Sequence, residues 1–389
     1  MDPIYVQALQ ALWTFPAIIL AALLIAWAAE CGQFYISQGL ALAILAWVQT
    51  LPEFAVEATI ALEAAKNPAQ MHLITANFTG SLRLFVGLGW PMVYFVSLFF
   101  ARKRLYSKNE GFWTIRMEDE HSVAVLSLLP TLAYFTFIYL KGTLSAVDGL
   151  VLAGIYITYL WLLSKMPPQG EEGAEDCGWV VRKIMKINTP GNYIGVLLLF
   201  AVGAVILWFA AHPFLNSMLA VAAMAGISQF VFVQWVAPFL SEFPEKLSAF
   251  NWARRVKKAP MALANFVSSS INQWTVLVAT VPFIYAYGLG HFAPVIFDAH
   301  QKEEILLTIV QSYLGFVFLA SMDFSFVEAS GLFLLWIVQF FVPGIRGNIT
   351  AVYAVWAAFE TGRLIRNWKH KNAFQVFAKL ASTHIFKRS

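Results

Sequence analysis

Long runs of apolar residues with almost no charge constrain this chain more than any other feature. Residues 11–29 and 194–211 contain no Asp, Glu, Lys or Arg at all. A run of about 18 or more such residues is long enough to cross roughly 30 Å of hydrocarbon. The whole sequence is 59% apolar, 16% aromatic and only 12% charged, so lipid is the solvent that its surface requires. Inside a bilayer every backbone N–H and C=O must be paired within the chain, which leaves helices or a closed barrel. Barrel strands alternate apolar and polar residues, and these runs do not, so the fold class is all-α and polytopic.

Ten spans follow, over residues 11–30, 36–65, 72–100, 121–140, 145–164, 191–211, 216–250, 259–288, 304–322 and 326–342. The second is interrupted at Leu51-Pro52, the seventh at Pro238 and Pro244. Residues 349–359 are apolar but short, and suit either an extra span or a helix lying at the interface. The chain divides into a first five-helix repeat (1–164), a linker loop (165–190), a second five-helix repeat (191–342) and a basic tail (343–389). Met1-Asp2-Pro3 brings no basic n-region, so the first span is expected to be retained rather than cleaved.

Basic residues gather in the loops after spans three, five and seven, among them Arg102 to Arg104, Arg182 to Lys186, and Arg254 to Lys258. That side is expected to be cytoplasmic and the N-terminus outside. Ten spans would leave the basic stretch from Arg363 to Arg388 outside as well, which favours an eleventh crossing. The net charge of +4 is loop charge that orients the protein and does not point to a nucleic-acid partner. Cys31 and Cys177 form no CxxC pattern, so neither a disulfide framework nor a zinc site is expected. A membrane enzyme is disfavoured: there is no nucleophile–base constellation, no phosphate-cradling Gly loop with Lys, and no H-E-x-x-H pair.

The two halves echo each other. Gln49-Thr50-Leu51-Pro52-Glu53 is matched by Ser241-Glu242-Phe243-Pro244-Glu245, and Asn77-Phe78-Thr79-Gly80-Ser81 by Asn265-Phe266-Val267-Ser268-Ser269. Gly142 to Leu150 opens the fifth span, and Asp323 to Glu328 leads into the tenth. With five spans in each half, the second half sits upside down relative to the first. Inverted repeats with Pro-broken helices in matching places point to a transport site between them. Proline removes a helical donor and frees carbonyls, and an adjacent glutamate adds negative charge that lipid tolerates only with a partner. Glu53, Glu245, the hydroxyls of Thr50, Ser81, Ser241 and Ser269, and the amides of Asn77 and Asn265 are all oxygen donors. Hard cations such as Ca²⁺ take about 6–8 oxygens. Glu57 lies one turn after Glu53 and shares its face, while Glu242 reads equally as a site residue or as part of a cavity rim.

At these residues the chain resembles the calcium/cation antiporter superfamily, of the sodium/calcium exchanger type. Each of that family's two α-repeats carries a T-S-L-P-E-like break followed by an N-x-x-G-S-N-like segment, and an L-S-x-x-D-G-L-V-L run is common in its fifth helix. The resemblance implies exchange of Ca²⁺ or a related cation for Na⁺ or H⁺ by alternating access in a multi-pass membrane protein, with a cytoplasmic or plasma membrane location. No cofactor is implied beyond the transported ions, the partners are those cations and the bilayer, and the oligomeric state is left open. By matching positions, Glu53 and Glu245 would be the cation carboxylates, and Thr50, Ser81 and Ser269 hydroxyl ligands. The chain departs from the pattern at Leu82, Ser270 and Phe85, where Gln273 is the polar counterpart in the second repeat, and Arg83 adds a positive charge. Those departures keep a second reading open, a degenerate exchanger-like protein acting as sensor, scaffold or partner subunit.

Overall fold

The computed structural model of the chain describes residues 3–32, 34, 47, 50–108, 114–166, 178–368 and 371–385. Gln49, the first part of the expected second span and Cys177 lie outside them. The first half contains α1 (Pro3–Leu9), α2 (Ala11–Gly32), α3 (Leu51–Lys66), α4 (Met71–Leu84), α5 (Trp90–Lys108), α6 (His121–Lys141) and α7 (Ala146–Ser164). A short α8 (Trp179–Met185) lies in the linker. The second half contains α9 (Gly191–Met224), α10 (Gln229–Ser241), α11 (Phe243–Arg254), α12 (Ala259–Asn272), α13 (Val278–Leu289), α14 (Ala299–Ala320) and α15 (Phe326–Phe341). Then come α16 (Arg346–Arg366) and α17 (Ala373–Leu380).

Two boundaries differ from the sequence expectation. The sixth span does not stop at residue 211: α9 runs unbroken for 34 residues through Pro213. His212 and Pro213 read as a loop signal, but a proline inside a membrane helix costs one bond that neighbours can replace. At about 1.5 Å per residue the helix is some 51 Å long and must project from the bilayer. The second difference is at the end, where the apolar stretch 349–359 is the middle of a 21-residue helix, α16. Packed along α14, it forms part of the bundle.

The repeat is visible in details that a hydropathy pattern cannot show. Both motif helices end in a π-helical turn, Phe85–Gly89 after α4 and Gln273–Leu277 after α12. Both fifth helices open with a capping box, Ser145 with Asp148 and Ser325 with Glu328. Ahead of each box the chain turns through a left-handed residue, Gly142 at φ 76° and Met322 at φ 61°. Short strands close the bundle at its two ends. Strand β1 (Ile115–Arg116) pairs antiparallel with β4 (Asp323–Phe324), and β2 (Thr143–Leu144) with β3 (Val295–Ile296). Each pair joins one half to the other, and a single span, α6, separates β1 from β2, so the two pairs lie at opposite ends. This is the geometry that two inverted five-helix repeats produce.

The halves interlock through their first helices, α2 along α9, and through α4 against α10 and α3 against α13. The α4–α10 crossing is close because Gly80 has no side chain: a Cβ there would stand 1.8 Å from the Gln234 carbonyl oxygen. Gly80→Ala is therefore expected to push the helices apart and lower stability by about 1–3 kcal/mol. Thermal unfolding in detergent checks this, and an unchanged Tm would refute it.

Before α6, burial first and then the neighbouring Glu118 and Asp119 push the Glu120 carboxyl up to about 7. A raised carboxyl stabilises the fold fully below its unfolded value near 4.5, and that contribution is lost as pH rises through about 7. Glu120→Gln is expected to raise Tm at pH 8 by roughly 1–2 °C and to leave it unchanged at pH 4. Equal shifts at both pH values would count against this.

Candidate cation site

Both Pro-Glu motifs begin helices. Pro52 and Pro244 occupy the first turns of α3 and α11, where a proline's missing N–H is an orphan in any case. Glu53 and Glu245 fall in those same first turns, at the positive end of the helix dipole, which favours a carboxylate. In the second half the break is complete: α10 ends at Ser241, Glu242 lies between the helices, and α11 starts at Phe243. The group that forms around these breaks is buried, with Glu53, Glu57, Glu242 and Glu245 each no more than 2% exposed.

Contacts across the two halves draw it together. Gln273 Nε2 donates to Glu53 Oε2 at 2.6 Å and to Glu242 Oε1 at 2.7 Å. Ser81 Oγ donates to Glu242, and Asn272 Nδ2 to the Thr50 hydroxyl, which itself donates to the Trp47 carbonyl at 2.8 Å. Glu242 is near enough to both Glu53 and Glu245 to act on each electrostatically. Asn265 Nδ2 donates to Glu245 Oε1 at 3.2 Å, and Ser269 Oγ donates to the same oxygen.

The two Pro-Glu pairs are not equivalent, and this corrects the sequence reading. Asn77 Nδ2 donates to Glu57 Oε2 at 2.6 Å across 20 residues, the separation that Asn265 has from Glu245. Glu57 is therefore the first-half counterpart of Glu245, and Glu53 lies one turn ahead of it. The matching letters L-P-E and F-P-E hid a shift of one helical turn. The fixed 20-residue Asn–Glu separation was present in the sequence and would have exposed it.

Of the ten residues expected at the site, nine belong to this group. Ser241 does not, because its hydroxyl donates back to the Ala237 carbonyl at 2.9 Å on its own helix. Glu242, which the sequence left between site and rim, is inside. Asn272 and Lys246 were not singled out from the sequence, and Glu57 was noted there only for sharing the face of Glu53. Lys246 donates to Glu242 Oε2 from one turn along.

One chemical pattern stands out in the group. Glu53 Oε1, Glu57 Oε1, Glu245 Oε2, Asn77 Oδ1, Asn265 Oδ1, Asn272 Oδ1 and Gln273 Oε1 are all buried and accept no hydrogen bond from the described residues. Every one is an oxygen acceptor. A buried acceptor left unpaired costs about 1–3 kcal/mol, so each of the seven calls for a partner. A hard cation is the partner that takes oxygens of both carboxylate and amide type.

Arg83 does not reach into this group. It points away, to Glu304 Oε2 at 2.5 Å, the Thr79 carbonyl at 3.2 Å and Gln339 Oε1 at 3.3 Å, with its guanidinium 5.1 Å from the Trp235 ring centre. Arg346, the first residue of α16, bonds the other oxygen of Glu304, and reaches Gln234 Oε1 at 3.1 Å. The positive charge inside the first motif is thus spent on fastening α4, α10, α14 and α16 together.

The family described as sodium/calcium exchanger protein matches residues 7–165 and 195–343, one segment for each half. The chain is 31% identical to the protein of the structure titled "Crystal Structure of H+/Ca2+ Exchanger CAX", with a TM-score of 0.85 over 96% of this chain and 91% of that one. It also superposes on the sodium-calcium exchanger NCX_Mj soaked with 100 mM Na⁺ and 10 mM Sr²⁺, at TM-score 0.55 and 16% identity, over 87% of this chain and 99% of that one. That second likeness is one of fold. Among curated protein sequences, none matches the chain.

Proposed function

From the premise that this chain belongs to the sodium/calcium exchanger protein family, and so to a family of multi-pass membrane transporters, we propose that it exchanges Ca²⁺ or a related divalent cation for protons by alternating access. The observation that carries the reading is the set of seven unpartnered buried oxygens around Glu53, Glu57 and Glu245. In this reading the cation is held by Glu57 and Glu245 with their asparagines, Ser269 sharing the Glu245 carboxylate, with Glu53 and Gln273 adding further oxygens and Glu242 recruited when its own partners release it. A proton as counter-ion suits a site made of carboxylates, which bind protons as readily as metal ions. The likeness to an H⁺/Ca²⁺ exchanger supports the same choice over Na⁺. Opening to one side and then the other would use the broken helix of the second half, whose two parts α10 and α11 can tilt about Glu242.

The test is ⁴⁵Ca²⁺ uptake into proteoliposomes under an imposed pH gradient, with a Na⁺ gradient as the comparison. Uptake driven by the pH gradient and lost in Glu245→Gln is expected. Uptake that follows the Na⁺ gradient alone would change the counter-ion. Absence of flux for Ca²⁺, Sr²⁺ and Mn²⁺ under both gradients would favour the sensor or scaffold reading.

A further inference from the structure

Lys246 stands inside the carboxylate group, one residue after Glu245, with a side chain only 8% exposed. Its ammonium pairs with Glu242 one turn back and lies 5.2 Å from the centre of the Phe85 ring. A buried ammonium among carboxylates is expensive to keep in a membrane and needs a reason.

Nothing in the first half corresponds to it. With Glu57 and Glu245 in register, the counterpart of Lys246 is Ala58 and that of Glu242 is Phe54. Phe85 and Gln273 are likewise counterparts, each the first residue of its π turn. Gln273 donates to Glu53 and Glu242, whereas Phe85 offers the ammonium the face of its ring. Glu242, Lys246 and Phe85 are therefore a one-sided addition to a two-sided site: an acid, a base bound to it, and a ring that holds the base.

The geometry points to Lys246 as a tethered cation that competes with the substrate and makes the site selective for divalent ions. This inference rests on the exchanger reading above. The ammonium occupies Glu242 Oε2, and a substrate ion recruits Glu242 only by displacing it. A monovalent ion that displaces a monovalent ammonium leaves the charge inside the carboxylate group unchanged, and both cations must still be dehydrated or rehydrated. A divalent ion adds one unit of attraction to the same exchange. Lys246 thus discriminates by charge without touching the ion.

Binding of ⁴⁵Ca²⁺ to the purified full-length protein in detergent, with Na⁺ titrated as competitor, tests this. If the ammonium leaves Glu242 available for about a tenth of the time, Lys246→Met is expected to bind Ca²⁺ about tenfold more tightly. Na⁺ is expected to displace Ca²⁺ from that variant at concentrations without effect on the wild type. Phe85→Leu removes the ring face while keeping an apolar side chain, so it loosens the ammonium and shifts both quantities the same way by a smaller factor. Damage to packing weakens binding, so a gain in affinity separates competition from a structural role. Equal or weaker Ca²⁺ binding in both variants, with the wild type binding normally, overturns the role of Lys246 and leaves the exchanger reading standing. Absence of Ca²⁺, Sr²⁺ and Mn²⁺ binding in wild type and variants alike overturns both.

Discussion

Glu57→Gln abolishes cation exchange as completely as Glu245→Gln, while Glu53→Gln retains a measurable share: this is the expected result that most sharply separates the structure from the motif. Glu57 and Glu245 stand in the same relation to the two halves, each receiving an amide N–H from an asparagine 20 residues later. Each also presents one buried carboxylate oxygen with no donor among the described residues. Removing a group that only supports a metal ligand costs about 10–100-fold, so removing the charged ligand itself should cost at least about 100-fold in flux. Glu53 is placed differently. One of its oxygens accepts from Gln273 at 2.6 Å, and the carbonyl of a substituted glutamine can accept that same bond. ⁴⁵Ca²⁺ uptake by the three variants in proteoliposomes, at matched protein incorporation, decides. Full activity in Glu57→Gln beside a dead Glu53→Gln would return the central role to the Pro-Glu pair.

Glu304→Gln is expected to be the most destabilising single substitution outside the cation site. Glu304 is nearly fully buried between two arginines, Arg83 on α4 and Arg346 on α16, and it also accepts from Gln234 at 2.8 Å. A glutamine keeps the volume but leaves two buried guanidinium groups with no counter-charge. Breaking a buried pair this way costs about 3–5 kcal/mol, because the stranded charge remains desolvated. The expected outcome is a large fall in Tm, or loss of monodisperse protein on gel filtration in detergent. The double variant Glu304→Gln with Arg346→Gln removes one stranded charge and should recover part of the loss. A Glu304→Gln protein with wild-type Tm would show that the network contributes little. Because Arg346 opens α16, weakening this cluster also predicts easier release of α16 from α14, readable as increased proteolysis in the segment around residue 343.

The neighbouring clusters illustrate two uses of buried charge. Around Glu304 positive and negative groups pair across four helices, and the result is a clamp. Around Glu57 and Glu245 unpartnered acceptors gather, the chemistry on which the cation-site proposal rests. Arg83 belongs to the clamp although it sits two residues from Ser81, since successive residues on a helix point in different directions.

Much of the fold was legible because it follows from solvent and period. Long uncharged runs leave no alternative to membrane helices, and five crossings per half force the second repeat to be inverted. The oxygen-donor residues were legible for a related reason: a carboxylate or amide inside such a run has no water to satisfy it. The unbroken course of α9 past Pro213 was not legible, since the sequence shows the lost donor and not the packing that compensates for it. Nor was the full length of α16, whose polar ends depend on a partner in α14.

What the sequence by itself determined was the class of molecule and the kind of residue to look for, oxygen donors inside uncharged runs, because composition and burial in lipid act on residue types wherever they end up. What only the tertiary structure decided was pairing: that Glu57 and not Glu53 answers Glu245, that Ser241 bonds its own helix, that Arg83 turns to Glu304, and that Lys246 lies against Glu242. Each of these is a choice among several chemically acceptable partners. Such choices are settled by which helix faces meet, and a one-turn slip between two similar motifs leaves no trace in their letters.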